Sequence, residues 1–286
     1  MKTGQTYAQQ MCSHLADYRQ RVLGIEQSGT YSYRKRLAKP YEHILPIELK
    51  WMNIPEPFRD EVREFVKREG IQTHQHFHHL NSSQALALSL FYPYLTHARK
   101  IVRRVLGTGE IESWGFEKIP DAAENTNVDV FWCSGGVTTY CEVKLTESRF
   151  GTCGDDPKHR HKLQRTYAPM LAAHLQDESL LAPKMFFAHY QLLRNLWLLA
   201  REENTRLVFL LPKANGGPDA QLTAISNKVK PEFWARVRIV YLEQVLGQLR
   251  VEVVPPMLLG YADRLAEKYL PRDDQDQPGG TPQRAL

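Results

Sequence analysis

Two acids and a lysine in the middle of the chain are spaced so that they could hold a divalent metal and a nucleophilic water. Asp129 lies in Thr126-Asn127-Val128-Asp129-Val130-Phe131-Trp132, and Glu142 and Lys144 lie in Thr139-Tyr140-Cys141-Glu142-Val143-Lys144-Leu145. Both runs are short, apolar and β-prone, and Ser134-Gly135-Gly136 between them predicts a hairpin. Side chains alternate across a strand, so Glu142 and Lys144 share a face with Tyr140, while Cys141, Val143 and Leu145 face the other way. An acid and a base then sit side by side, with Asp129 on the neighbouring strand. The competing reading is an exposed cross-strand ion cluster, which would contribute only about 0–1 kcal/mol. The bare pattern, an acid followed at loose spacing by Glu-x-Lys, also recurs by chance.

The elements that must carry this hairpin follow from periodicity. Tyr7 to Ile25 has apolar residues at helical spacing, and Pro57 to Glu69 predicts an amphipathic helix ended by Gly70. Asn81-Ser82-Ser83-Gln84 starts a helix with a break or second start at Pro93, followed by an apolar stripe from Tyr94 to Val105 that Gly107 ends. Ser113 to Ile119 is the first strand, and the hairpin supplies the second and third. Asp155-Asp156-Pro157 opens a helix rich in cations. Leu180 to Glu203 predicts one long, nearly all-apolar helix, in which Gln191 and Arg194 share a face and need polar partners that carboxylates would provide. Arg206 to Leu211 reads as a strand buried on both sides and Arg236 to Tyr241 as the last strand. Helices over Leu242 to Leu249 and Met257 to Tyr269 precede a tail expected to be disordered.

The 286 residues are 42% apolar and 24% charged, which suits a globular chain with one large core and a smaller subdomain. A net charge of +5 permits a polyanionic partner. Tyr31, Tyr33, Arg34, Lys35, Arg36, Lys39 and Tyr41 interleave cations with rings, as a grip on phosphates and bases would need, although a solvated loop is the competing reading. Lys158, His161 and Lys162 concentrate charge just after the Glu-Val-Lys strand, where a phosphate backbone would be met. His74, His76, His78 and His79 have no Cys or carboxylate at zinc-ligand spacing nearby, so they are read as lining a surface near phosphate. No apolar signal segment opens the chain, and His189, Gln191, Arg194 and Asn195 interrupt its most apolar run, so no membrane association is expected. Cys12, Cys133, Cys141 and Cys153 form no C-x-x-C pair, which fits reduced thiols in a cytoplasmic protein.

Asp129 followed by Glu142-x-Lys144, in an order of helix, three strands, helices, strand, helices and strand, resembles the PD-(D/E)XK nuclease superfamily. Val128 stands where that superfamily usually carries Pro. The similarity extends to Tyr41-Glu42-His43-Ile44-Leu45-Pro46, to His79-Leu80-Asn81-Ser82-Ser83-Gln84-Ala85, to Glu142-Val143-Lys144-Leu145-Thr146-Glu147 with Phe150-Gly151, and to Tyr190-Gln191-Leu192-Leu193-Arg194-Asn195. Together these resemble a bacterial restriction-endonuclease group within it, over roughly residues 41 to 200.

The resemblance implies an α/β, restriction-endonuclease-like fold: a mixed central β-sheet flanked by α-helices, with an N-terminal helical extension. The corresponding division is a basic helical region over 1–79, a nuclease core over 80–270 and a tail over 271–286. It further implies Mg²⁺-dependent hydrolysis of a DNA phosphodiester, with Mn²⁺ able to substitute, in restriction or anti-phage defence. Asp129 and Glu142 would bind the ion together with the Val143 carbonyl, and Lys144 would orient water or stabilise the transition state. Glu117 would be an additional acid, and Gln191 and Arg194 would position ligands or phosphate. DNA is the implied partner; a homodimer and a methyltransferase or other defence partner encoded elsewhere are further expectations. The alternative is a nucleic-acid-binding module with an inert nuclease site.

Overall fold

The computed structural model describes residues 4–32, 37–124 and 126–271. The expected phosphate contacts Arg34, Lys35 and Arg36 and the tail over 272–286 lie outside the described residues. In chain order the elements are α1 (Tyr7–Arg21), β1 (Gly29–Tyr31), β2 (Lys39–Tyr41), α2 (Arg59–Arg68), α3 (Ser83–His97), α4 (Arg99–Leu106), β3 (Ser113–Lys118), β4 (Val128–Ser134) and β5 (Val137–Val143). They continue with α5 (Pro157–Lys162), α6 (Ala168–Leu171), α7 (Pro183–Ala188), α8 (Tyr190–Arg201), β6 (Thr205–Leu211), α9 (Gly216–Ser226), α10 (Pro231–Trp234), β7 (Val237–Tyr241), α11 (Leu242–Val251) and α12 (Tyr261–Tyr269). Among the described residues no helix is long and apolar enough to cross a membrane.

Strands β3 to β7 form one mixed sheet in sequence order. The first three are antiparallel neighbours, and β5, β6 and β7 run parallel. The alternation read from the hairpin sorts its side chains as expected. Cys141, Val143 and Leu145 enter a core shared with α1 to α4, α11 and α12. Tyr140 enters the opposite core, built with α7, α8 and the strand β6. Leu207 to Leu211 are all buried, as a strand covered on both faces must be. The mixed sheet flanked by helices, with a helix at the N-terminal end, is the architecture implied by the resemblance.

Two helices differ from expectation, each for a local reason. Pro93 does not break α3, which continues to His97 and ends where Ala98 leaves helical geometry. Proline has no N–H for the carbonyl four residues back. That carbonyl, Ser89 O, instead accepts the Tyr261 hydroxyl from α12 at 2.9 Å. The long helix over Leu180 to Glu203 is in fact divided into α7 and α8 by non-helical His189. The bond Gln191 would make to Phe187 is exchanged: Gln191 N–H donates to Gly151 O at 2.9 Å, and Phe187 O accepts Cys153 N–H at 3.1 Å. The loop after the Glu-Val-Lys strand thus docks into the gap between the helices.

Removing the Tyr261 hydroxyl should strand a buried carbonyl only while proline occupies position 93. Tyr261→Phe is expected to cost about 1–3 kcal/mol in urea unfolding, and clearly less in a Pro93→Ala background, where the N–H gained by the substitution restores the helical bond. Equal costs in both backgrounds would refute this account.

Candidate active site

The register of the hairpin determines which side chains meet. Val130 lies opposite Cys141, so one step further Asp129 lies opposite Glu142. Asp129 Oδ2 accepts the Val143 N–H at 2.7 Å, which ties the acid to the backbone of the neighbouring strand. Lys144 extends the ladder by donating its N–H to Leu210 O at 2.8 Å. Its ammonium donates to Glu142 Oε1 at 2.8 Å. From α8, Gln191 Nε2 donates to the same oxygen at 2.7 Å and Asn195 Nδ2 to Oε2 at 3.4 Å. Gln191 is itself held by the Gly151 N–H at 2.8 Å.

This is not a surface ion pair. Glu142 and Lys144 are only 6% and 8% exposed, so the pair has a desolvation cost that an exposed one would not. Burial alone depresses the Lys144 ammonium, but Glu142, Glu147 and Asp129 more than reverse this and hold it above the ordinary lysine range. Burial raises the Asp129 carboxyl, and the negative charge of Glu142 raises it further. Glu117 is raised as well, by burial first, against the opposing effect of hydrogen bonds from Asn127 and Gln84.

Glu117 adopts φ of +50°, a left-handed conformation rare for a residue with a side chain. Phe116 pairs with Val130 and Lys118 with Val128, so the twist falls opposite Asp129. The carboxylate is clamped by Gln84 Nε2 on Oε1 and Asn127 Nδ2 on Oε2, each at 2.8 Å. Strain of this kind persists only where surrounding contacts enforce it.

Asp129, Glu142, Val143, Lys144, Glu117 and Gln191 all line one cavity of about 770 Å³. Arg194 lines it too, with its Nε buried and without a hydrogen-bond partner among the described residues. The cations of α5 do not. Lys158 and His161 are exposed away from the cavity, and Lys162 pairs with Glu124 at 3.1 Å.

Several lining residues had not been singled out for chemistry. Glu147 accepts Ser83 Oγ at 2.6 Å and Leu145 N–H at 2.8 Å, while Asn81 donates to Thr146 at 2.8 Å. The N-terminus of α3 thereby fastens the turn beyond Lys144. From the other side Asn215 Nδ2 holds Leu145 O at 3.2 Å and Glu147 O at 2.9 Å. Gly217 lets α9 approach, since a Cβ there would lie 2.1 Å from Ser148 O.

Among the described residues no three His, Cys, Asp or Glu side chains converge tightly enough to hold a metal as they stand. The donors nonetheless fit a hard divalent cation. Two carboxylates on adjacent strands, Asp129 and Glu142, with the Val143 carbonyl next to the second, are oxygen ligands of the kind Mg²⁺ takes. Beyond the effect of burial, Asp129 is raised by repulsion from Glu142, which a cation held by both acids would relieve.

The family model described as Restriction Endonuclease associating with ARP matches residues 12–270. The chain belongs to that restriction-endonuclease family. Neither a curated protein nor a solved structure matches the chain.

The raised Asp129 carboxyl has a defined cost in metal-free protein. A carboxyl raised on folding binds its proton more tightly in the native state, so stability is lost as pH climbs from the unfolded value, about 3.9, through the folded one. Asp129→Asn keeps the acceptor for Val143 N–H and discards the charge. The metal-free variant should melt a few degrees above wild type at pH 7 by calorimetry, a shift of the size that about 1 kcal/mol gives, and the gain should vanish below about pH 3.9. A lower melting temperature at pH 7 would contradict it.

Proposed function

We propose that this member of the restriction-endonuclease family is a Mg²⁺-dependent DNA endonuclease, with Mn²⁺ able to substitute, acting in restriction or anti-phage defence in the cytoplasm. The reading is carried by one observation: a buried Glu142–Lys144 pair faces Asp129 across adjacent strands inside a cavity. Asp129, Glu142 and the Val143 carbonyl would hold the ion. When bound, the ion supplies Lewis acidity toward water and neutralises charge at the scissile phosphate.

The chain's own groups then have distinct tasks. Gln191 and Asn195 fix the Glu142 carboxylate from α8. Lys144, kept protonated by three carboxylates, serves as a fixed hydrogen-bond donor and positive charge toward the phosphate rather than as a general base. Arg194, which lines the cavity, holds a phosphate oxygen. Glu117 is the additional acid of the site. Lys158 and His161 meet the DNA backbone further out, whereas Lys162 is committed to Glu124. The association with ARP in the family's description is carried over as part of the proposal, and a second copy of the chain would serve to cut both strands.

Purified protein is expected to cut DNA with Mg²⁺ and to stop when the ion is chelated, assayed on linear, supercoiled, single-stranded and modified forms. Lys144→Gln and Glu142→Gln should each lower the rate at least about 10²-fold while circular dichroism remains native. Glu142→Gln is preferred to alanine, because alanine would leave Lys144 buried and unpaired at a cost of about 3–5 kcal/mol. Wild-type rates from both variants would remove the assignment.

A further inference from the structure

Part of the same cavity is lined by His74, His76 and His79, to which the mechanism above gives no task. Their rings are in contact: His74 lies 5.0 Å from His76 and His76 4.7 Å from His79, centroid to centroid. Tyr31, on β1, sets its ring edge-on to His76 at 4.9 Å and to His79 at 5.2 Å. Gln84 joins this wall to the acids, accepting the His74 N–H at 2.7 Å and donating to Glu117 at 2.8 Å.

The wall is built unlike a phosphate site. Burial lowers the His76 and His79 pKa values first and neighbouring imidazoles lower them further, His79 to about 3. At neutral pH these two rings carry no charge. Neutral rings offer stacking faces and edge hydrogen bonds, whereas a phosphate calls for cations. His79 Nε2 is buried without a hydrogen-bond partner among the described residues. There is also room. At about 30 Å³ per water a hydrated divalent ion needs on the order of 200 Å³, well under the cavity's volume of about 770 Å³.

We propose that an unpaired nucleobase beside the bond to be cut rests against the ring wall of His76 and His79, which Tyr31 supports edge-on. This rests on the nuclease reading and narrows its substrate to DNA with a base outside the helical stack at the cut, supplied either by a single strand or by extrusion from a duplex.

The test uses one labelled oligonucleotide sequence as a single strand, as a duplex with a central mismatch and as a fully paired duplex. Binding to the full chain is measured by fluorescence anisotropy at low salt with chelator. His76→Ala is expected to weaken binding to the single strand, or to the mismatched duplex if the base is extruded, by roughly 5- to 150-fold, the range for losing one stacked base. Fully paired duplex should stay within about twofold, and the slope of affinity against salt should not change, because no phosphate contact is lost. His76→Phe, which keeps a ring, should restore most of the loss and guards against misfolding. Equal weakening on all three probes, a shallower salt slope or no weakening at all would overturn the proposal. If wild type cuts nothing with Mg²⁺ while the His76 pattern holds, the nuclease reading fails and the base wall stands.

Discussion

Two like charges held across adjacent strands are the constraint on which the rest of this structure depends. Asp129 and Glu142 are fixed opposite one another by the ladder of β4 and β5, and the sheet cannot relieve their repulsion by shifting register. A slip of one residue would send Val130, Cys141 and Val143 out of the apolar core and carry the acids into it. The surrounding groups therefore supply the compensation: the Lys144 ammonium, the Val143 N–H, and the amides of Gln191 and Asn195. Each donor comes from an element that the sheet or its crossover positions. The Asp129 carboxyl nevertheless remains raised, by burial first and by the Glu142 charge second.

The gap between α7 and α8 belongs to this compensation. An unbroken helix would have left Gly151 without its anchor, and Gln191 would have had no backbone donor to fix its carbonyl oxygen. Once the loop enters the gap, Gly151 accepts from the Gln191 backbone and donates to the Gln191 side chain. The side-chain amide is left one orientation, with its NH₂ directed at Glu142. A hydrogen bond removed from the helix interior is thus re-used to aim a residue at the acids.

How much of this was legible in sequence depends on the range of the determining contact. The strands were readable because the two-residue period and the apolar runs are local properties, and β3 to β7 fall where that period places them. Pro93 was misread because the group that replaces its missing hydrogen bond is Tyr261, 172 residues away from Ser89. The division at His189 escaped for a similar reason, its cause lying in a loop near Gly151. In the site, Asp129, Glu142, Lys144, Glu117, Gln191 and Arg194 meet in one cavity. Asn195 could have been found, since it stands four residues beyond Gln191 on the same helix face. Gln84 could not, because it looked like a helix-start residue, and its hold on Glu117 depends on a twist in β3 that no pattern announces. Cation density likewise cannot show that Lys162 is already paired with Glu124.

The cavity brings together two electrostatic regimes that would weaken one another if they were mixed. Near the acids, burial strengthens charge interactions and keeps Lys144 cationic. Near the rings, the same burial drives the imidazoles to neutrality. Between the two, Glu117 is held by the amides of Gln84 and Asn127. The Lys144 side of the cavity is thus charged, while the His76 and His79 side is neutral. The amide of Gln84, bonded to both walls, fixes the spacing between these halves without passing charge from one to the other.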